Sequence, residues 1–367
     1  MRFARRGSVT EWFPDGPGAG RGHGEDAAAR EPELPRARLA RSGAILLGGL
    51  ALTFVVLVLS VGLGARDISP AEVVSVLLHP YDDYYNAHVL WTERIPRTLL
   101  GALVGAALGA SGLIMQALTL NPLSDPGILG VEVGASFAVV VGIVAFGIGD
   151  LHGYFWFALL GAGATAALVY LVGTRAAGGS AIGLVLAGAA VAALLASAIS
   201  LLVVRSASTA ASLRFWSVGQ LTGRAEVLPE VTPFLAAGLL LALPLGRTLN
   251  ILALGEDAAA GLGVRVGRAQ LLCAGVAVLL CAAATAGVGP VAFVGLVGGH
   301  LARMLVGADH RASLPVATVA GAVLLLSADV AGRLAPGSGE LEVGITTAVI
   351  GTPFFIWLAR RPNLVTL

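Results

Sequence analysis

The chain has 367 residues, of which 56% are hydrophobic and 12% are charged. Soluble globular chains carry about 25% charged residues, so this composition excludes an ordinary soluble fold and indicates a polytopic membrane protein. The net charge is +1, and all 23 basic residues are arginines. The lack of lysine excludes a P-loop lysine and a lysine Schiff base. The sequence also lacks a basic patch interleaved with aromatic residues, the pattern that would indicate nucleic-acid binding.

The first element is a polar, arginine-rich segment, residues 1–41, without the periodicity of a packed helix. We expect a disordered cytoplasmic tail here. The apolar stretch 44–64 that follows is too long for the apolar region of a signal peptide and lacks a convincing cleavage site. It is predicted to be the first spanning helix of a membrane domain that covers residues 42–361.

Further apolar segments follow, most of them near the ~20 residues that a bilayer requires. The segment 290–301 is short, and counting it as a crossing gives about ten spans with both termini on one side. More arginines then lie on the side of the tail, which places both termini in the cytoplasm by the positive-inside rule. The sequence thus predicts an all-α protein of the cytoplasmic membrane, with the remaining spans at 98–117, 127–147, 154–174, 181–204, 228–246, 269–288, 314–332 and 343–359.

The polar segment 246–268 separates the sixth and seventh predicted spans. Glu256 and Asp257 precede three alanines, and Gly261 and Gly263 come after them. Acidic residues favour the N-terminus of a helix and glycine favours its C-terminal cap, so the pattern predicts a short helix within a compact helix-turn-helix. From the residues alone, an ordinary interhelical loop remains the alternative.

An ordered set of short motifs accompanies the spans. The motifs are RIPR at 94–97, GALVGAALGASGLIMQ at 101–116, NPLSDPGILG at 121–130, GPVAFVGL at 289–296, HLAR at 300–303, DHR at 309–311 and GITT at 344–347. In this order and spacing the set resembles the permease subunits of type II ATP-binding-cassette (ABC) importers, the FecCD family. The resemblance covers residues 44–361.

This resemblance implies a function and a set of partners. It implies ten helices, a second permease subunit of the same or a related chain, two cytoplasmic ABC ATPase subunits and an external substrate-binding protein or lipoprotein. ATP hydrolysis would belong to the ATPase subunits, and no bound cofactor is implied. The stretches 121–140 and 215–224 are most similar to ferric-enterobactin-type permeases, which implies an iron(III)-siderophore cargo. Cobalamin or haem import is the alternative within the family.

Two groups of site residues follow from the resemblance. The segment 246–268 would dock into the ATPase, through the coupling residues Leu254, Gly255, Glu256, Ala259, Gly261, Leu262 and Gly263. The external binding protein would be received by Arg94, Arg97 and Arg333. Arg97 lies at a helix N-terminus, where a cation opposes the helix dipole, so local stability does not explain it. Anchoring of these arginines to lipid headgroups is the alternative.

Few ionisable residues fall near membrane depth: Asp125, Glu132, His300 and Asp329. We expect Asp125 to form a turn, His300 to pack or cap, and Asp329 to pair with Arg333 four residues later. This scarcity argues against an ion-coupled secondary carrier, which is the alternative from a different class of protein.

The chain departs from the family pattern at two positions. Gly299 precedes His300 where proline is usual, which loosens the short segment because glycine lacks the fixed φ of proline. Glu342 stands where proline is usual before the last span, which adds an external carboxylate.

Overall fold

A computed structural model describes residues 35–64, 73, 75–76, 84–177, 181–204, 206–335 and 339–360. Within these ranges the regular structure is entirely helical. The helices are α1 (Pro35–Gly62), α2 (Tyr84–Val89), α3 (Ile95–Thr119), α4 (Val131–Phe146), α5 (Leu151–Ala177), α6 (Ala181–Val204), α7 (Ala207–Ser217), α8 (Leu228–Ala242), α9 (Leu245–Leu252), α10 (Glu256–Gly261), α11 (Val266–Val288), α12 (Val294–Val306), α13 (His310–Leu334) and α14 (Val343–Ala359).

The predicted spans are confirmed as helices. Among the described residues, 7 helices are long and apolar enough to cross a membrane, and α4, α12 and α14 are shorter apolar helices. Several boundaries differ from the prediction, two of them at the first and sixth spans. Helix α1 begins at Pro35, so residues 35–41 of the predicted tail are helical, while residues 1–34 lie outside the described residues. The predicted sixth span is divided, because α8 ends at Ala242 and α9 starts only after Pro244.

Helix α3 lies at the centre of the bundle and packs through glycines. A side chain at Gly109 would place its Cβ 2.2 Å from the Ala317 carbonyl oxygen, and one at Gly112 would place it 2.3 Å from the backbone of Gly295. These distances are too short for any side chain, so only glycine fits at these two positions. Small residues let helix backbones approach closely in lipid, where there is no hydrophobic driving force between helices. The glycine-rich motif at 101–116 therefore fixes α3 against α12 and α13.

Helix α12 begins within the bundle rather than at its edge. Phe293 precedes it with a positive φ of 70°, and the chain from Gly289 to Phe293 is not helical. The helix has 13 residues, about 20 Å of rise, which is less than the ~30 Å of a bilayer core. The predicted short segment is thus a helix that starts and ends later than expected, and its first turn packs against Gly112 of α3.

The direction of the helices defines two ends of the bundle. The α10 end contains α9, α10, the start of α13 and the α3–α4 connection. The opposite end contains the end of α1, the start of α3, helix α7 and the end of α13, because Arg333 near the end of α13 hydrogen-bonds to Ser60 near the end of α1. The two groups of predicted site residues lie at different ends.

Candidate functional site

The α10 end carries a short helix held between two glycines. Gly255 precedes α10 with a φ of 95° and Gly263 follows it with a φ of 81°, both in the left-handed region that glycine adopts without strain. The Ala259 amide donates to the Gly255 carbonyl at 3.0 Å, and the Val264 amide donates to the Ala259 carbonyl at 3.1 Å. The short helix predicted within 246–268 is confirmed.

Two exposed leucines flank helix α10, whose own exposed residues include Glu256 and Asp257. Leu254 is 62% exposed and Leu262 is 64% exposed, whereas Ala259 between them is fully buried. The Glu256 carboxylate accepts from Gln270 Nε2 at 3.2 Å, which ties α10 to the first turns of α11. The two leucines lie within the polar segment predicted to dock into another chain and are accessible there.

A second junction, which the sequence did not predict, ties the preceding helix α9 to α13. Asn250 Nδ2 donates to Asp309 Oδ1 at 2.7 Å, and Asn250 Oδ1 accepts from the His310 amide at 2.8 Å. Burial alone would raise the pKa of Asp309, but these contacts and the Arg311 amide outweigh it and hold the pKa below its ordinary value. Gly246 packs so closely that a Cβ there would lie 2.9 Å from Arg311 Cα.

At the opposite end, two of the predicted docking arginines cap the C-terminus of α1. Arg94 Nη1 donates to the carbonyl oxygens of Val61 and Gly62, at 2.9 and 2.8 Å. Arg333 Nη1 donates to those of Ser60 and Leu63, at 2.7 and 2.9 Å. The last carbonyls of a helix lack intrahelical donors and carry partial negative charge, so cations stabilise them. Both arginine side chains are buried as a result.

The third arginine, Arg97, joins two carboxylates. Its Nη2 lies 2.8 Å from Asp329 Oδ1 and its Nη1 lies 2.7 Å from Glu340 Oε2. Asp329 is buried and also pairs with Arg333, which confirms the predicted pair within α13. The structure therefore brings Arg94, Arg97 and Arg333 to one end of the bundle, and their guanidinium groups hold α1, α3 and α13 together there.

A further buried cation lies at this end and was missed as a site residue. Arg224, between α7 and α8, is 1% exposed, and its guanidinium carbon lies 5.9 Å from the centre of the Phe215 ring. Burial lowers the pKa of Arg224 to about 10, although the nearby charge of Glu342 opposes that shift. Glu342 also interacts electrostatically with Arg97, so this departure from the family pattern adds a carboxylate to the arginine cluster.

The other candidates have local roles. Asp125 Oδ1 accepts from the Gly127 amide at 2.8 Å and caps the turn Pro126–Leu129, as predicted for a turn residue. Glu132 lies in the first turn of α4. The His300 ring packs edge-on to Phe354, with 6.0 Å between ring centres. No group of three or more potential metal-ligating side chains comes together in the described ranges.

Comparisons with known proteins agree with this architecture. The chain matches the FecCD transport family over residues 52–361. It is 43% identical over 322 residues to the ferric enterobactin transport system permease protein FepD of Escherichia coli (strain K12), covering 87% of this chain and 96% of that protein. It is 37% identical over 319 residues to the iron(3+)-hydroxamate import system permease protein FhuB of Bacillus subtilis (strain 168), covering 86% and 83%.

A solved structure shares the fold. It is an inward-facing conformation of an ABC transporter described as of metal-chelate type, with a TM-score of 0.76 and 32% identity, covering 87% of this chain and 99% of that one. Together with the helical bundle and the α10 segment, these matches identify the class of protein. The chain belongs to the FecCD transport family, the membrane permeases of ABC importers in which ATP is hydrolysed by a separate subunit.

Proposed function

We propose that this chain carries iron(III)-siderophore complexes across the cytoplasmic membrane of a bacterium, as the permease subunit of an ABC importer. The observation that carries the permease role is α10, a packed helix between two left-handed glycines with exposed leucines on either side. The siderophore cargo is supported by the similarity to permeases named for ferric enterobactin and for iron(3+)-hydroxamate. The identity of the cargo and the orientation of the chain in the membrane are parts of this proposal.

The ATPase subunit would contact the α10 surface. Leu254 and Leu262 supply exposed apolar area, and Glu256 accepts a hydrogen bond from Gln270 of α11. Gly255 and Gly263, both with a positive φ, allow the sharp turns at the two ends of α10, and Gly261 is its last residue. Ala259 is fully buried and would be the residue through which α10 passes a push to its neighbours. In this arrangement the α10 end faces the cytoplasm, together with both chain termini.

The external binding protein would contact the opposite end, around Arg94, Arg97 and Arg333. Arg97 is the most accessible of the three, with its side chain 13% exposed, and Glu340 beside it is 30% exposed. Carboxylates of the binding protein would replace Glu340 on Arg97 at the start of docking. A second permease subunit, the same chain or a related one, would complete the pathway.

The test is uptake of radiolabelled ferric siderophores by a strain that lacks this gene. We expect the gene to restore uptake, and we expect excess unlabelled ferric siderophore, but not cobalamin or haem, to compete. Restored uptake that survives inactivation of the ATPase subunit but stops on collapse of the proton gradient would contradict the proposal in favour of an ion-coupled carrier. Competition by cobalamin or haem alone would reassign the cargo.

A further inference from the structure

A groove at the α10 end is lined by two arginines from different helices. We call it the arginine groove: it has a volume of about 470 Å³ and is lined by Leu243, Pro244, Arg247 and Arg311. Arg247 belongs to α9 and Arg311 to the first turn of α13. The close contact between Gly246 and the backbone of Arg311 fixes the two helices side by side, so the positions of both arginines on the backbone are set by packing.

The lining of the arginine groove is cationic within the part of the chain that the structure describes, although the Asp309 carboxylate interacts electrostatically with Arg311. Both arginine residues are exposed, and neither has a carboxylate within ion-pair distance among the described residues. The nearest acid in sequence, Asp309, is already engaged by Asn250 and by the Arg311 amide. The lining of the arginine groove therefore offers two cations and no anion.

The groove lies beside the ends of two candidate membrane spans, where we expect the bilayer to change from hydrocarbon to headgroups. The candidate span 225–242, which ends with α8, stops at Ala242, and the candidate span formed by α13 begins at His310. Leu243, the residue next to the end of α8, is 64% exposed and lies beside the two arginines. An apolar surface next to a pair of cations matches a molecule that is apolar on one side and anionic on the other. Basic pockets between spanning helices bind anionic headgroups in this way.

We propose that the arginine groove binds the headgroup of an anionic phospholipid, with the phosphate between Arg247 and Arg311 and an acyl chain over Leu243. A zwitterionic headgroup would bind less tightly, because its own cation would lie next to the two arginines. Free phosphate would also bind less tightly, because it makes no apolar contact with Leu243 and Pro244. The proposal relies on a membrane at this end of the bundle and not on the cargo. Because Arg247 lies in the segment 246–268 that would dock into the ATPase, lipid binding is measured on the chain without that subunit, and its failure is distinguishable from failure of the transport assay.

The experiment measures lipid binding to the purified full chain by native mass spectrometry. The probes are phosphatidylglycerol, phosphatidylcholine and inorganic phosphate. We expect phosphatidylglycerol to bind more tightly than phosphatidylcholine, and the double variant Arg247→Gln, Arg311→Gln to weaken phosphatidylglycerol binding on the order of tenfold or more. The charge-preserving double variant Arg247→Lys, Arg311→Lys should retain most of the phosphatidylglycerol binding of the parent chain. Arg175→Gln, at an exposed arginine near the end of α5, is the matched control and should have little effect.

Three results would overturn the proposal. Equal binding of phosphatidylcholine and phosphatidylglycerol would show an apolar groove without charge selection. Unchanged affinity in the double glutamine variant would place the lipid elsewhere, and an equal loss in Arg175→Gln would show a diffuse basic surface. Displacement of the lipid by low concentrations of inorganic phosphate would assign the groove to a free anion.

Discussion

Asp329 of α13 and Arg97 of α3 are joined by two hydrogen bonds although 232 residues separate them in sequence. Arg97 Nε and Nη2 both donate to Asp329 Oδ1, at 3.2 and 2.8 Å, while the other carboxylate oxygen accepts from Arg333. One buried carboxylate thus balances two arginines of the cluster and joins α3 to α13. Its loss would leave two cations withdrawn from water without their main counter-charge.

The first prediction is that Asp329→Asn destabilises the protein strongly. Removing one partner of a buried ion pair costs about 3–5 kcal/mol, because the remaining charge stays buried and unpaired. Glu340→Gln is the control: Glu340 also pairs with Arg97 but is partly exposed, and such pairs contribute about 0–1 kcal/mol. The measurement is the thermal unfolding midpoint in detergent. Similar shifts in the two variants would show that burial of Asp329 does not matter.

The second prediction concerns docking of the external binding protein. Arg97→Gln should weaken docking by a few fold and reduce its dependence on salt, since partly exposed pairs contribute about 0.2–1 kcal/mol. Glu340→Gln should strengthen docking, because it removes the carboxylate charge that competes with the binding protein for Arg97, although the amide oxygen can still accept from Nη1. Dissociation constants for the external binding protein of this importer, measured at two ionic strengths, provide the check. If both variants bind the external binding protein as tightly as the parent does, Arg97 is not part of the docking surface.

The third prediction is that Ala259→Pro uncouples transport from ATP hydrolysis. Proline removes the bond from the Ala259 amide to the Gly255 carbonyl and costs about 3 kcal/mol inside a helix, which is enough to unwind an element of 6 residues. Ala259→Gly keeps that amide at a cost of about 1 kcal/mol and is the matched control.

Siderophore uptake and binding-protein-stimulated ATPase activity are the two measurements for this variant. We expect both to be lost in Ala259→Pro while the protein remains inserted in the membrane, because α10 lies outside the spans. We expect both to be largely retained in Ala259→Gly. Normal uptake and stimulation in the proline variant would mean that α10 does not couple the two subunits.

The fourth prediction is a pH-dependent gain of stability in Glu342→Gln. Burial raises the pKa of Glu342 above its ordinary value of 4.5, and the opposing charges of Arg97 and Arg224 do not cancel that effect. Above this value the unfolded chain ionises Glu342 more readily than the folded chain does, so the parent protein loses stability as the pH rises. The glutamine variant lacks this loss.

Unfolding midpoints recorded across a pH series test this difference. Glu342→Gln should be the more stable protein well above pH 4.5 and should match the parent well below it. Glu226→Gln, at an exposed carboxylate of the same end, is the control. A stability difference that does not change with pH would show that the ionisation of Glu342 is not its cause.

The features that depend on neighbours in sequence were predictable. The spans follow from runs of apolar residues, α10 follows from its acidic start and its glycines, and the Asp329–Arg333 pair follows from the four-residue spacing within one helix. The starts of α1 and α12 were less predictable, because a helix end is decided by its tertiary contacts. Phe293, held with a positive φ before α12, is an example that no local pattern indicates.

The contacts that join distant helices were not predictable from one sequence. Arg97 at the start of α3 opposes the helix dipole, and that conflict was the signal that it has a partner elsewhere. Its partner on α13 emerges only when α3 and α13 pack through Gly105, Gly109 and Gly321. The Asn250–Asp309 junction left no such signal, because an asparagine and an aspartate near helix ends are also typical of ordinary turns.

One continuous helix connects the two ends of the protein. Helix α13 has 25 residues, about 37 Å of rise, and begins at His310, which is bonded to Asn250 of α9. It carries Asp329 and Arg333 at its other end, in contact with α1 and α3. If the ATPase displaces α9, we expect α13 to move with it and to shift Asp329 and Arg333 at the opposite end of the bundle. The ion pairs of Asp329 with Arg97 and Arg333 would then change when the ATPase moves α9 and α10, because one rigid helix carries them.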